Sequence, residues 1–212
     1  MTDELRSPSA DTKPKPSQRE RNRARTRGDI VAAALELFDA KGYQSTTVEQ
    51  IVRAAGCSSA TFFRHFSSKE EVLFANDRAA AAEITRFVAE RADREISLTA
   101  LAEPIASFAK VFLMESTSEA QRMTRLVMTT RELEARSMRM RLLWEHAIAG
   151  QLNHENGDPA ARTDHVLLAG MAVTCLTTAL WEWQQPASEI DIHTATLHAH
   201  ARAHHLISRR GI

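Results

Sequence analysis

The side chains with the most chemistry to offer crowd into the first third of this 212-residue chain. Arg19, Arg21, Arg23, Arg25 and Arg27 recur at every second position. With Lys13 and Lys15 they set seven cations against the single acid Glu20 across residues 12–27, a net of +6. A guanidinium run of that density suits phosphate, which it binds by charge and by paired N–H donors. Further on, Thr46, Thr47, Ser58, Ser59 and Thr61 are followed by Arg64, His65 and Lys69. Hydroxyls at helix N-termini donate to phosphate together with the free backbone N–H groups there, and Arg64 carries the fork that pairs with the edge of guanine. These are the tools of nucleic-acid recognition.

Catalytic and metal chemistry leave no comparable pattern. No HExxH, P-loop, Rossmann glycine pattern or GxSxG stands in the sequence, so an all-helical enzyme is the weaker alternative. Cys57 and Cys175 lie far apart, without CxxC or histidine at ligand spacing, and read as small core residues. His200 and His204 sit at i and i+4 but lack the carboxylates or thiolates that would complete a site, so neither metal nor cofactor is expected. No run approaches the roughly 18 to 20 apolar residues of a membrane span, and the N-terminus has no apolar signal core. A cytoplasmic protein with no membrane contact is expected. The totals of 27 Lys+Arg and 27 Asp+Glu cancel, yet residues 1–78 carry +2 and residues 79–212 carry −2.

The elements that must position these groups are helical. Residues 1–18, with Pro8, Pro14 and Pro16 among Ser, Lys and Asp, read as a disordered tail. Ile30, Ala33, Ala34, Leu37 and Phe38 mark one face of a helix that stops at Gly42. Extended back through the arginines, that helix would place Arg19, Arg23 and Arg27 on one face. Thr47 with Gln50 forms a capping-box pattern for a short helix ending near Gly56; Ser58 caps a second, and Ser67/Glu70 or Ser68/Glu71 offers a box for a third. Two short helices across a tight glycine turn describe a helix-turn-helix.

Over residues 46–73 the sequence resembles the TetR family of transcriptional regulators. The residues that carry the resemblance are Thr47-Val48, Ala55-Gly56-Cys57-Ser58, Thr61-Phe62-Phe63, His65-Phe66 and Ser68-Lys69-Glu70. The resemblance implies an all-α protein with a three-helix DNA-binding domain at 19–75 and a helical effector-binding and dimerisation domain at 76–212. It implies a homodimer on a palindromic operator, acting as a repressor that a small hydrophobic or acyl-type effector releases. Its implied DNA contacts are Arg19, Arg23, Arg27, Thr46, Thr47, Ser58, Ser59, Ala60, Thr61, Phe63, Arg64, His65 and Lys69. At Phe63 the family often carries tyrosine, so phenylalanine there contacts DNA without a hydroxyl. Phe62 and Phe66 are expected in the core. A sequence-tolerant architectural DNA-binder, which needs no effector, is the other alternative.

Beyond the resemblance, helices are expected at about 69–93, 99–115, 119–130, 132–154, 159–184 and 188–209. The last two are assigned to the dimer interface, the first of them apolar enough to be buried on both sides. Phe108, Phe112, Met123, Val127, Arg131, Trp144 and Trp181 are the candidate effector contacts, from a wider Met-rich inventory that includes Met114, Met128 and Met138. The segment Leu126–Trp144 resembles a largely actinobacterial branch of the family that includes the mycofactocin-associated type, which implies an acyl-CoA-like ligand.

Overall fold

The computed structural model describes residues 17–113, 117–185 and 188–209, and among these the regular structure is entirely helical. Most of the expected tail (1–16) and the end of the expected helix 99–115, with Met114, lie outside the described residues.

Helix α1 (Gln18–Lys41) runs through the arginines rather than starting after them. Its cap is Ser17, whose hydroxyl accepts the Glu20 N–H at 3.2 Å while the Glu20 carboxylate accepts the Ser17 N–H at 2.6 Å. This capping box puts a negative charge in the first turn, where it offsets the conflict between the arginines and the helix dipole. The expected tail therefore gives way to helix at its last residue. Gly42, at φ +83°, ends the helix in a conformation that favours glycine.

Helix α2 (Val48–Ala54) begins on the expected Thr47/Gln50 box, and Gly56 turns at φ +63° into α3 (Ser59–His65), capped by Ser58. The expected helix 69–93 is instead two: α4 (Glu71–Phe74) and α5 (Asp77–Ala89). They part at Asn76, whose side-chain oxygen accepts from Arg27 at 2.9 Å instead of capping its own helix. Of the two serine candidates before α4, Ser68 makes the bond, to the Glu71 N–H at 3.2 Å.

Helices α6 (Ala102–Leu113), α7 (Thr117–Thr129), α8 (Glu134–Asn156), α9 (Arg162–Trp183) and α10 (Ile192–Ser208) complete the chain, with single 3₁₀ turns at Arg131–Leu133 and Pro159–Ala161. One core joins α5, α6, α8, α9 and α10 through Ile84, Phe108, Trp144, Ile148, Leu176 and Trp183. A second, under α1 to α4, gathers Ile30, Leu35, Phe38, Ile51, Phe62 and Phe66. Leu133, fully buried, plugs this N-terminal core from the far domain, and Met123, Leu126 and Val127 of α7 pack beside it.

Helix α9 departs from the reading in one way: the stretch Pro159–Trp183 has a window of mean hydropathy 1.4, long and apolar enough by composition to cross a membrane, against the expectation of no such run. Within the single chain Ala169, Val173, Leu176 and Leu180 are buried, and Val166, Leu167 and Trp181, on the face assigned to a dimer contact, are exposed. Cys175 is buried and Cys57 half-buried, both as free thiols.

Candidate nucleic-acid interface and adjoining cavity

Helix α3 divides its residues cleanly. Phe62 and Phe66 are buried, as expected, while Ser58, Ser59, Ala60, Phe63 and Arg64 face outward. The exposed half offers hydroxyls, a methyl, a ring and a guanidinium, the mixture that meets base edges and sugar-phosphate. The Ser58 and Thr61 hydroxyls are 3.0 Å apart and the Ser58 oxygen takes the Thr61 N–H, so the helix start is held rigid. Thr47, also exposed, accepts the Gln50 N–H and so caps α2.

Arg19 and Arg23 are exposed on α1. The pKa of His65 is held below its ordinary value by burial first, and then by the charges of Arg64, Arg23 and Arg27. Arg64 at the end of α3 and Arg23 and Arg27 of α1 thus lie close enough to act on one imidazole.

Three of the expected contacts also make bonds within the protein. Thr46 is 1% exposed, and its hydroxyl lies 2.9 Å from the Gly42 carbonyl and 3.2 Å from that of Leu37. Its hydrogen is used inside the protein, where it pins the loop between α1 and α2. The Lys69 ammonium turns inward to the carbonyls of Tyr43, Gln44 and Thr46, so its donors are occupied by that same loop. Arg27 donates to Asn76 and lies 5.5 Å over the Phe66 ring, joining α1 to α3 and α5. Lys69 and Arg27 found partners close in space and remote in sequence, while the acceptors of Thr46 lie four and nine residues back in the chain.

Behind this surface lies an open cavity of about 930 Å³. Phe108, Phe112, Met123, Val127, Trp144 and Trp181 line it, with Met128 and Met138, but Arg131 does not. Arg131 opens the 3₁₀ turn that drives Leu133 into the N-terminal core, and this leaves its own side chain exposed on the outside. The sequence reading missed the cavity's other wall: Gly28 and Val31 of α1, Val72 and Phe74 of α4, and Asp77 of α5, all from or beside the DNA-binding half. No local pattern marks these residues, because only the docking of two domains brings them together.

The seam between the halves is polar at a few points. The Asp77 carboxylate lies 3.1 Å from Arg136 of α8, which also sits 3.6 Å from Glu71 and 5.4 Å over the Phe74 ring. Burial pushes Asp77 up to about 6, with Arg136 opposing the rise. On α7, Arg122 pairs with Asp39 of α1 at 2.5 Å, while Arg125, one turn later, donates to the carbonyl of Gln184 at the end of α9 at 2.9 Å. Gln44 and Glu132 add a contact between the α1–α2 loop and the 3₁₀ turn. Among the described residues no cluster of three His, Cys, Asp or Glu could hold a metal ion.

Comparison with known proteins fits this geometry. The profile described as "Bacterial regulatory proteins, tetR family" matches residues 30–75. The chain is 56% identical over 57 residues to the regulator TcmR of Streptomyces glaucescens, covering 27% of this chain and 25% of that one. It is 30% identical over 161 residues to MftR of Mycobacterium tuberculosis, described as a mycofactocin biosynthesis transcriptional regulator, covering 76% of this chain and 79% of that one. In fold it resembles a TetR-family regulator from Syntrophomonas wolfei, with TM-score 0.62 at 16% identity over 87% and 96% of the two chains. It also resembles SmeT in its triclosan complex, with TM-score 0.61 at 18% identity over 86% and 91%. With the likeness to MftR extending through both halves of the molecule, this chain belongs to the TetR family of bacterial transcriptional regulators.

Proposed function

We propose that this regulator represses from a palindromic operator as a homodimer in the cytoplasm, and that a small hydrophobic or acyl-type effector releases it. The observation that carries this reading is the double lining of the cavity: aromatic and methionine side chains from α6 to α9 on one side, Val31, Val72 and Phe74 of the DNA-binding half on the other. A ligand filling such a space contacts both halves at once, so its binding energy depends on their relative position. Any such difference in affinity between two arrangements shifts the spacing of the recognition helices, which must match adjacent major grooves. The DNA contacts in this reading are Arg19, Arg23, Thr47, Ser58, Ser59, Ala60, Thr61, Phe63, Arg64 and His65. The triclosan bound to SmeT, which shares this fold, supports an effector that is largely apolar.

The test is a gel-shift series on DNA from upstream of the protein's own gene, repeated with long-chain acyl-CoA and with uncharged aromatic compounds. Specific binding that one of these compounds reverses supports the reading. Binding without sequence preference and without response to any compound would favour an architectural DNA-binder.

A further inference from the structure

Several hydroxyls in the cavity wall have already spent their hydrogens. On α9, Thr174 donates to the Gly170 carbonyl at 2.8 Å, and Thr177 and Thr178 donate to the Thr174 carbonyl at 3.1 and 2.8 Å. All three line the cavity, where they present oxygen lone pairs and methyl groups rather than donors. Arg27, on the opposite wall, gives a guanidinium N–H to Asn76.

Trp144 of α8 differs. Its indole lines the same cavity, meets Phe108 edge-on and is only 4% exposed, yet its Nε1–H has no acceptor among the described residues. An indole nitrogen donates and never accepts, and buried tryptophans usually find a partner for it. Left unpaired away from solvent, the N–H costs free energy that a well-placed acceptor relieves. The helices packed around the ring supply none. The open space beside it is where one can arrive, met by a small turn of the indole toward a bound molecule.

We propose that Trp144 selects the effector by an oxygen: its indole N–H donates to an uncharged carbonyl, as in a ketone, ester, thioester or amide, carried on an apolar body. The inference rests on the effector reading above and narrows it to one chemical class. A bare hydrocarbon would leave the N–H unpaired. A carboxylate would accept from it, but Asp77, Glu119 and Glu134 line the same space with Arg27 and Arg141, so an anion meets no excess of positive charge there. A neutral carbonyl satisfies the donor without taking a charge out of water.

The experiment pairs two uncharged probes, fluorenone and fluorene, which share a ring system and differ in the carbonyl oxygen. The ratio of their affinities for the full chain is compared with that for Trp144→Phe, which keeps an aromatic ring and removes the N–H. The preference for fluorenone should fall about fivefold in the variant, the weight of one net hydrogen bond. The wild-type protein gives a second measurement, independent of whether that variant folds. The chain has three tryptophans, Trp144, Trp181 and Trp183, so an isotope-labelled sample shows three indole N–H signals by NMR. Trp181→Phe and Trp183→Phe identify that of Trp144 by elimination, and it should move further downfield with fluorenone than with fluorene. An unchanged affinity ratio in folded Trp144→Phe, or an indole signal that responds alike to both probes, overturns the inference. Met123→Lys, in the α7 wall, tests the reading beneath it and should weaken both probes alike. If this variant binds both as the wild type does, the cavity is not the binding site and the effector reading itself fails.

Discussion

Lys69 donates to the Tyr43 carbonyl at 2.6 Å while its ammonium lies 4.4 Å over the Tyr43 ring, so the lysine clamps the loop that leads into the helix-turn-helix. The Thr46 carbonyl, at 2.8 Å, is a further acceptor. Lys69→Met leaves these carbonyls unpaired, and a hydrogen bond to a charged group is worth about 1.5–3 kcal/mol. The expected result is a loss of stability of about 2 kcal/mol in urea unfolding together with weaker DNA binding. An unchanged unfolding midpoint with weakened DNA binding would return Lys69 to a phosphate contact.

Arg64 is exposed at the end of the recognition helix. If it reads guanine, Arg64→Ala lowers affinity for the operator by about 1–3 kcal/mol, roughly ten- to a hundredfold, and relaxes preference at one position of each half-site. Arg23→Ala should instead weaken binding to all sequences and reduce the salt slope by about one ion. Binding measured at several salt concentrations tells the two apart, and identical salt slopes for both variants would contradict the division.

Phe108 stacks on Phe112 with ring centres 5.4 Å apart and meets Trp144 edge-on at 5.9 Å. Phe108→Ala should cost about 3–5 kcal/mol, because the ring is buried and its neighbours are too interlocked to collapse into the space. It should also weaken any aromatic effector, as read by calorimetric titration. A cost under about 1 kcal/mol would mean that the cavity end is already loose.

Asp77 makes a pH-dependent contribution whose sign is fixed by its raised value. A carboxyl that titrates near 6 when folded, against an ordinary 3.8, binds its proton more tightly in the native state. Its stabilising effect is full below about pH 4 and is lost as pH rises through about 6. Asp77→Asn keeps an acceptor for Arg136 and removes the titration. It should therefore gain on the wild type between pH 4 and 7 by up to about 3 kcal/mol. Unfolding curves for both proteins across that range provide the check, and parallel profiles would reject the role.

His200 works in the opposite direction. It is buried, its Nδ1 donates to the Thr196 carbonyl at 2.9 Å, and burial holds its pKa below 6.5. Native His200 stays neutral where the unfolded chain would begin to charge. Stability is thus kept above about 6.5 and is lost as pH falls through the lowered folded value. His200→Leu should flatten the acid limb of a stability profile; an unaltered limb would shift the cause to other groups.

Much of the DNA-binding half was legible because it is local. Caps act over three residues, as at Thr47/Gln50 and Ser58, and a glycine at positive φ marks its own turn, so the helix-turn-helix can be read from spacing alone. The apolar face of α1 and the burial of Phe62 and Phe66 follow from helical periodicity. Periodicity also yields which aromatic and methionine residues are available for a cavity.

What a polar side chain does with its charge is another matter, since that depends on which partner the fold brings within 3 Å. Thr46, Lys69 and Arg27 have the composition of DNA contacts, but the tertiary structure supplies carbonyls and an asparagine that satisfy them first. The break between α4 and α5 has the same origin, a hydrogen bond across 49 residues of sequence. The cavity is the furthest from legible. Its walls are contributed by seven helices, and a space between helices has no residue of its own to carry a signal. The sequence by itself determined the recognition helix, its basic approach and the all-helical body, through interactions a few residues long. Only the tertiary structure decided which of those groups spend their donors inside the protein, and only the packing of the two halves decided where a ligand can reach both at once.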